Sequence, residues 1–420
     1  MDVIGSQDGR QAVIRQDGSE SASSTNYAPI SSIDALGGDF VGTETGATGS
    51  GRVPYGGDPD PVAPGPEVPG SLLSSYMEVK SGTSKRLCEE AAICKVLPDM
   101  EKWSVRKTGT LRVVRELLRV DQDRADKLAS CGGHVAMRYW IDHDRTTVQN
   151  ATWCNMPRLC QACAHARGIK LAQQGAEKVA VALNDDRDLR PWLVTFTVKN
   201  GFDLADRLGH LLDGFSTGWQ RRKDHEKGKR PWTPFCAPAG SIFSAEIKRG
   251  RQGGWHPHLH CLWLVPASDW KWHSGKTGDE LEPNEHRRLA DEWHSITGDS
   301  YVVNAKPLKT AMDMEAGEPV NEEYLVAELF EVFKYLTKPG ETSPADVVHA
   351  WQTTIGKRLV RSHGCVRGLQ IPESLNDEPL GGPAWEVWFR WWQGRYQRSG
   401  TKFVEGTQEH VERSNEGIAA

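Results

Sequence analysis

Two histidines stand one residue apart in residues 254–265, GWHPHLHCLWLV, and an apolar run follows them. On a β-strand the side chains of His258 and His260 point to the same face, because side chains alternate with a period of two. Two neutral imidazoles that converge from one strand make half of a divalent-metal site. Such pairs also arise by chance on surface strands, so the metal interpretation needs support from elsewhere in the chain.

An acidic residue, Glu246, interrupts the apolar strand predicted for residues 240–249. Residues 250–254 form a Gly-rich turn, so this strand and the histidine strand are predicted to pair as a β-hairpin. Glu246 lies about as far before the turn as the histidines lie after it, and a buried acid is costly unless it is paired or bound to metal. Glu246, His258 and His260 are therefore predicted to hold Mg²⁺ or Mn²⁺.

Four of the nine cysteines suggest a second metal site. They are Cys131, Cys154, Cys160 and Cys163. The C-x-x-C of the last two, completed by the first two, is typical of structural Zn²⁺, and His134 or His165 could replace one ligand. The alternatives are a thioredoxin-like C-x-x-C, which would follow a strand in a βαβ unit, and buried free cysteines. The odd cysteine count does not suggest a disulfide framework.

A helix is predicted over residues 323–340, where apolar residues recur at helical spacing before a Pro-Gly pair. Glu331 and Tyr335 stand at i and i+4 on one face of it, and Lys338 follows at the next step. Judged alone, this is an ordinary surface set with a half-buried tyrosine.

Cations are dense after the helix predicted to follow residue 200. The predicted DNA contacts, which include one cation of the tyrosine helix, are Arg221, Arg222, Lys223, Lys229, Arg230 and Lys334. Such a segment is usually only solvated, but next to a nuclease site it would suit phosphate contacts.

The formal charge of −5 divides into −7 for residues 1–70, −3 for residues 403–420 and +5 for the rest. A mildly basic core between acidic tails permits a nucleic-acid partner. Residues 1–72 are rich in Gly, Ser, Asp and Pro and are expected to be disordered. Neither a membrane-spanning run nor a signal peptide is found, so a cytoplasmic protein is expected.

Taken in order, Thr-Phe-Thr at 195–197, His258-x-His260 and Glu331-x-x-Lys334-Tyr335-x-x-Lys338 resemble the motifs of the HUH single-strand endonucleases. The closest resemblance is to rolling-circle plasmid replication initiators with one catalytic tyrosine. It spans roughly residues 130–366, from a Cys/Arg-rich segment to Gly-Lys-Arg-Leu and Ser-x-Gly stretches. One departure is His256, which gives the motif a third histidine. His258 and His260 are preferred because they directly precede the apolar run.

The resemblance implies an α+β fold, in which a central antiparallel sheet carries the histidine strand between flanking helices. It implies that Tyr335 attacks a phosphate at a single-stranded or cruciform plasmid origin, leaving a 5′-phosphotyrosine and a free 3′-hydroxyl primer. Lys338 would stabilise the tyrosinate or the phosphate, and Glu331 would activate water to end replication. A host DNA polymerase is an expected partner, because the 3′-hydroxyl would prime replication. A host helicase is another, because the chain has no Walker-type phosphate loop.

The predicted organisation has five parts. They are an acidic tail (1–72), a helical and Cys-rich zinc-binding region (73–185), the catalytic domain (186–370), a Trp-rich C-terminal helix (371–402) and a second tail (403–420). A transposase or a relaxase uses the same site, although relaxases usually place the tyrosine before the histidines. A different class of protein, a non-catalytic DNA-binding regulator stabilised by zinc, is the further alternative.

Overall fold

The computed structural model describes residues 82–250, 253–275, 278–333 and 342–405, and of residues 82–87 it describes the backbone alone. The chain divides into two units, Met1–Pro69 and Gly70–Ala420, and all described residues belong to the second. The tail predicted for residues 1–72 and most of the tail predicted for 403–420 lie outside the described residues. Within the described ranges, no helix has the length and apolar character needed to cross a membrane.

Helices and strands are interspersed along the described part of the chain. In order they are α1 (Gly82–Leu117), α2 (Gln122–Ser130), β1 (His134–Trp140), β2 (Arg145–Ala151), α3 (Gln161–Asp185), β3 (Leu189–Thr197), α4 (Leu204–Glu226), β4 (Gly240–Arg249), β5 (Trp255–Pro266), β6 (Trp272–Gly275), β7 (Gly278–Leu281), α5 (Pro283–Thr297), β8 (Val303–Pro307), α6 (Lys309–Glu315), α7 (Glu322–Phe333), α8 (Pro344–Thr354), β9 (Val360–Gly364), β10 (Ala384–Trp392) and β11 (Arg395–Val404). Every described strand pair is antiparallel, so the fold is α+β.

A five-stranded sheet with the order β8-β3-β5-β4-β9 forms the centre of the chain. The histidine strand β5 is its middle strand, as predicted, and pairs with β3 on one side and β4 on the other. The apolar run that follows the histidines is fully buried from Cys261 to Val265. A continuous apolar run of this kind is expected where helices cover both faces of a strand.

Helices cover the two faces of this sheet with different side chains. On one face, α4 and α5 enclose an aromatic core that includes Phe196, Phe215, Trp263 and Trp293. On the other face, α3 and α7 pack on aliphatic residues such as Leu262. Residues of even number on β4 and β5 point to this second face, so the predicted metal ligands share a side with α3 and α7.

A second sheet, with the order β11-β10-β1-β2, corrects one prediction. The C-terminal helix predicted over residues 371–402 is wrong, because residues 384–392 form strand β10. Trp385, Val387 and Phe389 are buried while the residues between them are more exposed, which is the period-two pattern of a strand. Because β10 pairs with β1, the segments 73–185 and 371–402 contribute to one sheet and are not separate units.

Candidate active site

The hairpin of β4 and β5 brings the three predicted metal ligands together. Glu246 lies directly opposite His258 in the strand register, and His260 is the next residue on that face of β5. Oε2 of Glu246 lies 2.6 Å from Nε2 of His258 and 2.8 Å from Nε2 of His260. The three ligand atoms are all within 4.8 Å of one another. The hairpin predicted from the Gly-rich turn therefore places two imidazole nitrogens and a carboxylate oxygen at one point.

The Glu246 carboxylate is buried and strongly held in its charged form. Burial by itself would raise the pKa of this carboxyl, but hydrogen bonds from His258 and His260 outweigh it and hold the pKa well below its usual range. Nζ of Lys248 is 3.3 Å from Oε1, an ion-pair distance. Oε1 nevertheless accepts no hydrogen bond from the described residues. An ionised, buried carboxylate whose Oε1 accepts no hydrogen bond and whose Oε2 faces two imidazole nitrogens is suited to a cation.

The outer nitrogens of both imidazoles face oxygen atoms of the sheet. Nδ1 of His258 is 3.3 Å from the carbonyl oxygen of His256, and Nδ1 of His260 is 3.4 Å from Oγ1 of Thr195 on β3. Contacts of this kind fix the ring orientation and direct the opposite nitrogen towards a metal. The Thr-Phe-Thr motif is visible in the sequence, but the role of Thr195 follows only when β3 and β5 are paired.

His256 shares the face of the other two histidines but does not belong to the cluster. It lies opposite Lys248, two residues closer to the turn than His258. Its ring centroid is 5.6 Å from that of His258. Burial lowers the pKa of His256, and nearby His258 and Lys248 lower it further. The compact three-ligand set is Glu246, His258 and His260. The geometry therefore favours the pair that sequence analysis preferred.

The predicted tyrosine helix is described as far as Phe333, the last residue of α7. Its predicted apolar side is buried at Leu325, Leu329, Val332 and Phe333, and α7 packs against α3, β4 and β5. Glu331 is exposed in its last described turn. Lys334, Tyr335 and Lys338 lie outside the described residues, so their roles stay predictions. The helix that precedes them nevertheless packs on the face of the sheet that carries Glu246.

The four predicted zinc ligands also converge, as a buried cluster of sulfurs. The Sγ of Cys131 is 3.4 Å from that of Cys160 and 3.6 Å from that of Cys163, which is 3.5 Å from that of Cys154. Four sulfurs bound tetrahedrally at about 2.3 Å from one zinc ion would lie about 3.8 Å apart. All four cysteines are free. The donor set and its spacing therefore fit a tetrahedral metal ion, and neither of the substitute histidines takes part in the cluster.

A buried lysine accompanies the sulfur cluster. Nζ of Lys107 donates to the carbonyl oxygens of Ala129, at 2.6 Å, and Cys131, at 2.5 Å. Burial lowers the pKa of Lys107, while the neighbouring Cys131 and Cys160 act to raise it. A cation beside four thiolates reduces the net negative charge that a bound divalent ion would leave.

The predicted DNA-contacting cations fall into two groups, those with internal partners and those that are exposed. Arg221 is committed to an ion pair with Glu292 at 2.9 Å, and Arg222 bonds to Glu226 and to the carbonyl oxygen of Pro238. The remaining described members are exposed: Lys223, Lys229 and Arg230. Arg221 and Arg222 belong to α4, which packs on the face of the central sheet opposite the Glu246 carboxylate.

Comparisons with known proteins support the family that the motifs resemble. A family model described as "Replication protein" matches residues 145–380, more than half of the chain. The match begins at β2 and ends in the segment before β10, so it includes the whole central sheet and the Glu246 cluster.

Individual relatives also support membership of a replication protein family. The chain is 25% identical to "Protein rep" of Lactiplantibacillus plantarum over 246 residues, which is 58% of this chain and 71% of that protein. It is 21% identical to "Protein rep" of Lentilactobacillus hilgardii over 298 residues, 67% of this chain and 88% of that protein. A shorter match, 26% over 153 residues and about a third of each chain, is to "Neomycin resistance protein" of Streptomyces cyanogenus. No solved structure matches significantly. The chain belongs to the replication protein family, the Rep initiators of plasmid replication.

Proposed function

We propose that the chain starts rolling-circle replication of a plasmid by nicking one DNA strand at the origin and later rejoining it. The observation that supports this most directly is the convergence of Glu246, His258 and His260 on the central strands of a Rep-family chain. The proposed substrate is single-stranded or cruciform origin DNA, and the product is a free 3′-hydroxyl primer. A host helicase and DNA polymerase then unwind and copy the plasmid in the cytoplasm.

Oε2 of Glu246 and Nε2 of His258 and His260 would hold Mg²⁺ or Mn²⁺. A bound divalent cation polarises a phosphoryl oxygen and neutralises the charge that develops during displacement at phosphorus. The protein's own residues prepare and orient these ligands. Before a cation binds, hydrogen bonds from His258 and His260 hold the pKa of Glu246 low, so its carboxylate is already ionised, and Thr195 orients the ring of His260 so that its Nε2 faces that carboxylate.

Tyr335 is the proposed nucleophile. Its phenol oxygen gives up its proton to solvent and attacks the scissile phosphorus in line, so that a bond from phosphorus to the tyrosine oxygen forms while the bond to the 3′ oxygen breaks. The departing 3′ oxygen takes up a proton and becomes the primer hydroxyl, and Lys338 neutralises charge on the tyrosinate or the phosphate. At the end of the cycle Glu331 removes a proton from a water molecule that cleaves the copied origin strand hydrolytically. The 3′-hydroxyl formed in this way attacks the phosphotyrosine phosphorus, so the strand is rejoined while the bond to the oxygen of Tyr335 breaks and the phenol regains a proton.

The cysteine cluster is proposed to bind structural Zn²⁺. Its four buried sulfurs leave no open position for a substrate, which is characteristic of structural and not catalytic zinc sites. Zinc would fix the turn between β2 and α3, and thereby the start of α3, the helix that packs on the ligand-bearing face of the central sheet.

Covalent capture of DNA tests the proposal and does not require the origin sequence to be known. The full-length protein is incubated with Mn²⁺ and a single-stranded library of random sequence between fixed primer sites, and strands that remain attached after denaturation are sequenced. The wild type is expected to capture a restricted set of sequences. Tyr335→Phe should capture none, while Tyr324→Phe, which changes an exposed tyrosine at the start of α7, should behave as the wild type.

Two further variants separate the proposed roles. The His258→Ala/His260→Ala double variant should lose capture, and Glu331→Ala should still nick while its hydrolytic final step slows. A wild type that binds DNA but never becomes attached to it, with or without Mn²⁺, would instead support the non-catalytic zinc-stabilised regulator. Capture by the Tyr335→Phe variant would show that another residue is the nucleophile.

A further inference from the structure

A cleft of about 430 Å³ opens on the site face of the central sheet. It lies between the first turns of α3, the end of α7 and the segment that enters β9, and its floor includes Ser244 of β4. Ser244 lies directly opposite His260 and is two residues from Glu246 along β4, on the same face. The last described residue of α7, Phe333, forms part of the wall, and Tyr335 is two residues further along the chain. The cleft therefore adjoins the proposed nicking site.

Positive charge dominates the lining of this cleft. The cationic residues, which come from segments about 190 residues apart in the chain, include Arg158, Arg167, Lys357 and Arg358. No aspartate or glutamate occurs among the described residues that line it. None of these four cations forms an ion pair within the described ranges. The cleft thus holds like charges without an internal counter-charge.

Two of these cations are partly removed from water. Arg158 and Arg167 are half-buried, burial lowers the pKa of both guanidinium groups, and the neighbouring Arg167 lowers that of Arg158 further. Arg158 donates to the carbonyl oxygens of Thr354 and Lys357, which ties the loop after α8 to the start of α3. Half-buried cations without an acidic partner cost free energy, and an anionic ligand would offset that cost.

Apolar residues make up most of the remaining lining and suit a nucleobase. Pro157, Leu171, Phe333, Leu359 and Ile371 contribute to the walls, and Gly168 adds no side chain. The volume falls within the roughly 300–1,000 Å³ typical of ligand pockets. An apolar wall beside a group of cations matches a nucleotide, which has a flat base and an anionic phosphate.

We infer that this cleft binds the DNA strand beside the scissile phosphate, with cations on backbone phosphates and one base against the apolar wall. The inference rests on the proposed function, because it takes the strand that is cut as its ligand. It also gives a role to two sequence features that the nicking chemistry leaves unused, the Arg-containing segment around the cysteines and the Gly-Lys-Arg-Leu stretch at 356–359. Continuing the pairing of β4 with β9 by two residues brings the backbone of Arg358 level with Glu246.

Binding of a fluorescein-labelled oligodeoxythymidine to the full-length protein in EDTA tests the cleft separately from cleavage. The main variant is Lys357→Gln/Arg358→Gln, because neither side chain makes an internal hydrogen bond in the described structure. A matched control, Arg112→Gln/Arg187→Gln, removes two exposed arginines elsewhere on the chain. The cleft variant is expected to bind about tenfold more weakly or worse. Its salt dependence, the slope of log K against log salt, should become shallower by about 1.4, since each phosphate contact to a single strand contributes about 0.7.

Arg167→Gln provides a second test, from the opposite wall of the cleft, and thermal unfolding shows whether that half-buried change preserves the fold. Oligonucleotide binding by the Lys357→Gln/Arg358→Gln variant that equals the wild type would overturn the inference. So would an equal loss in the Arg112→Gln/Arg187→Gln control, since the effect would then reflect net charge alone. Failure of the proposed function would give a different result. The wild type would then bind the oligonucleotide in EDTA more tightly than the Lys357→Gln/Arg358→Gln variant does, but would show no Tyr335-dependent covalent capture with Mn²⁺.

Discussion

Replacing Thr195 by valine tests whether the second imidazole must be held in place in order to bind a cation. Nδ1 of His260 lies 3.4 Å from Oγ1 of Thr195, while Nε2 of the same ring faces Glu246. When Nε2 binds a metal, the ring proton resides on Nδ1, so the threonine oxygen must be the acceptor. Valine preserves the β-branched shape and removes that acceptor. The ring is then free to turn away from the carboxylate.

The expected loss can be estimated from the contact. Removing an outer hydrogen bond to a metal-binding histidine costs about 10- to 100-fold in metal affinity. A separation of 3.4 Å is long for a hydrogen bond, so the lower limit applies, about tenfold or 1.4 kcal/mol. Calorimetric titration of the full-length protein with Mn²⁺ measures this loss directly, in the absence of DNA.

Thr197→Val is the matched control, because Thr197 is on the same strand and face but bonds elsewhere. It lies opposite His258 in the register, and its hydroxyl donates to the carbonyl oxygen of Val302 at 3.2 Å. Both variants should lose a comparable amount of stability, about 1 kcal/mol for one neutral hydrogen bond. Only Thr195→Val should lose Mn²⁺ affinity. Equal affinities for the two variants would refute the orienting role of Thr195.

Three further substitutions test the parts around this contact. Glu246→Gln keeps the side-chain shape but removes the charge, so calorimetry should show at least the roughly tenfold Mn²⁺ loss of the threonine variant; undiminished affinity would exclude Glu246 as a ligand. Cys160→Ser should reduce the zinc content found by native mass spectrometry and lower the Tm, whereas Cys94→Ser, at an exposed cysteine, should change neither. Leu329→Ala, in the fully buried side of α7, should cost about 2–5 kcal/mol in urea unfolding, and a loss no larger than that of Val326→Ala would contradict the packing described for α7.

The convergence of Glu246, His258 and His260 could be predicted from the sequence because its geometry is local. A Gly-rich turn fixes the register of a hairpin, and the strand period of two then decides which residues share a face. Glu246 and His258 are 12 residues apart and meet for that reason. The same reasoning separated His256 from the other two histidines, since it enters the strand closer to the turn.

Pairing between strands that are far apart in the chain could not be predicted from local sequence patterns. Strand β10 was predicted as a helix because Trp388, Trp391 and Trp392 add large apolar residues on the more exposed side and obscure the alternation of its buried residues. What makes it a strand is its pairing with β1, where Arg138 meets Glu386, 248 residues later. The basic cleft was missed for a similar reason, because Arg158 and Lys357 look like ordinary surface cations until the fold brings them together.

Arg158 connects the cysteine cluster to the cleft beside the proposed nicking site. This arginine lies between Cys154 and Cys160, two of the four sulfur donors, and its guanidinium holds the carbonyl oxygens of Thr354 and Lys357. A metal ion that fixes the two cysteines also restricts the backbone of the intervening segment, and so limits where the guanidinium can reach. The loop it holds carries Lys357 and Arg358 into the cleft beside Ser244. A metal ion in the cluster is therefore expected to support the inferred DNA binding by positioning these cations.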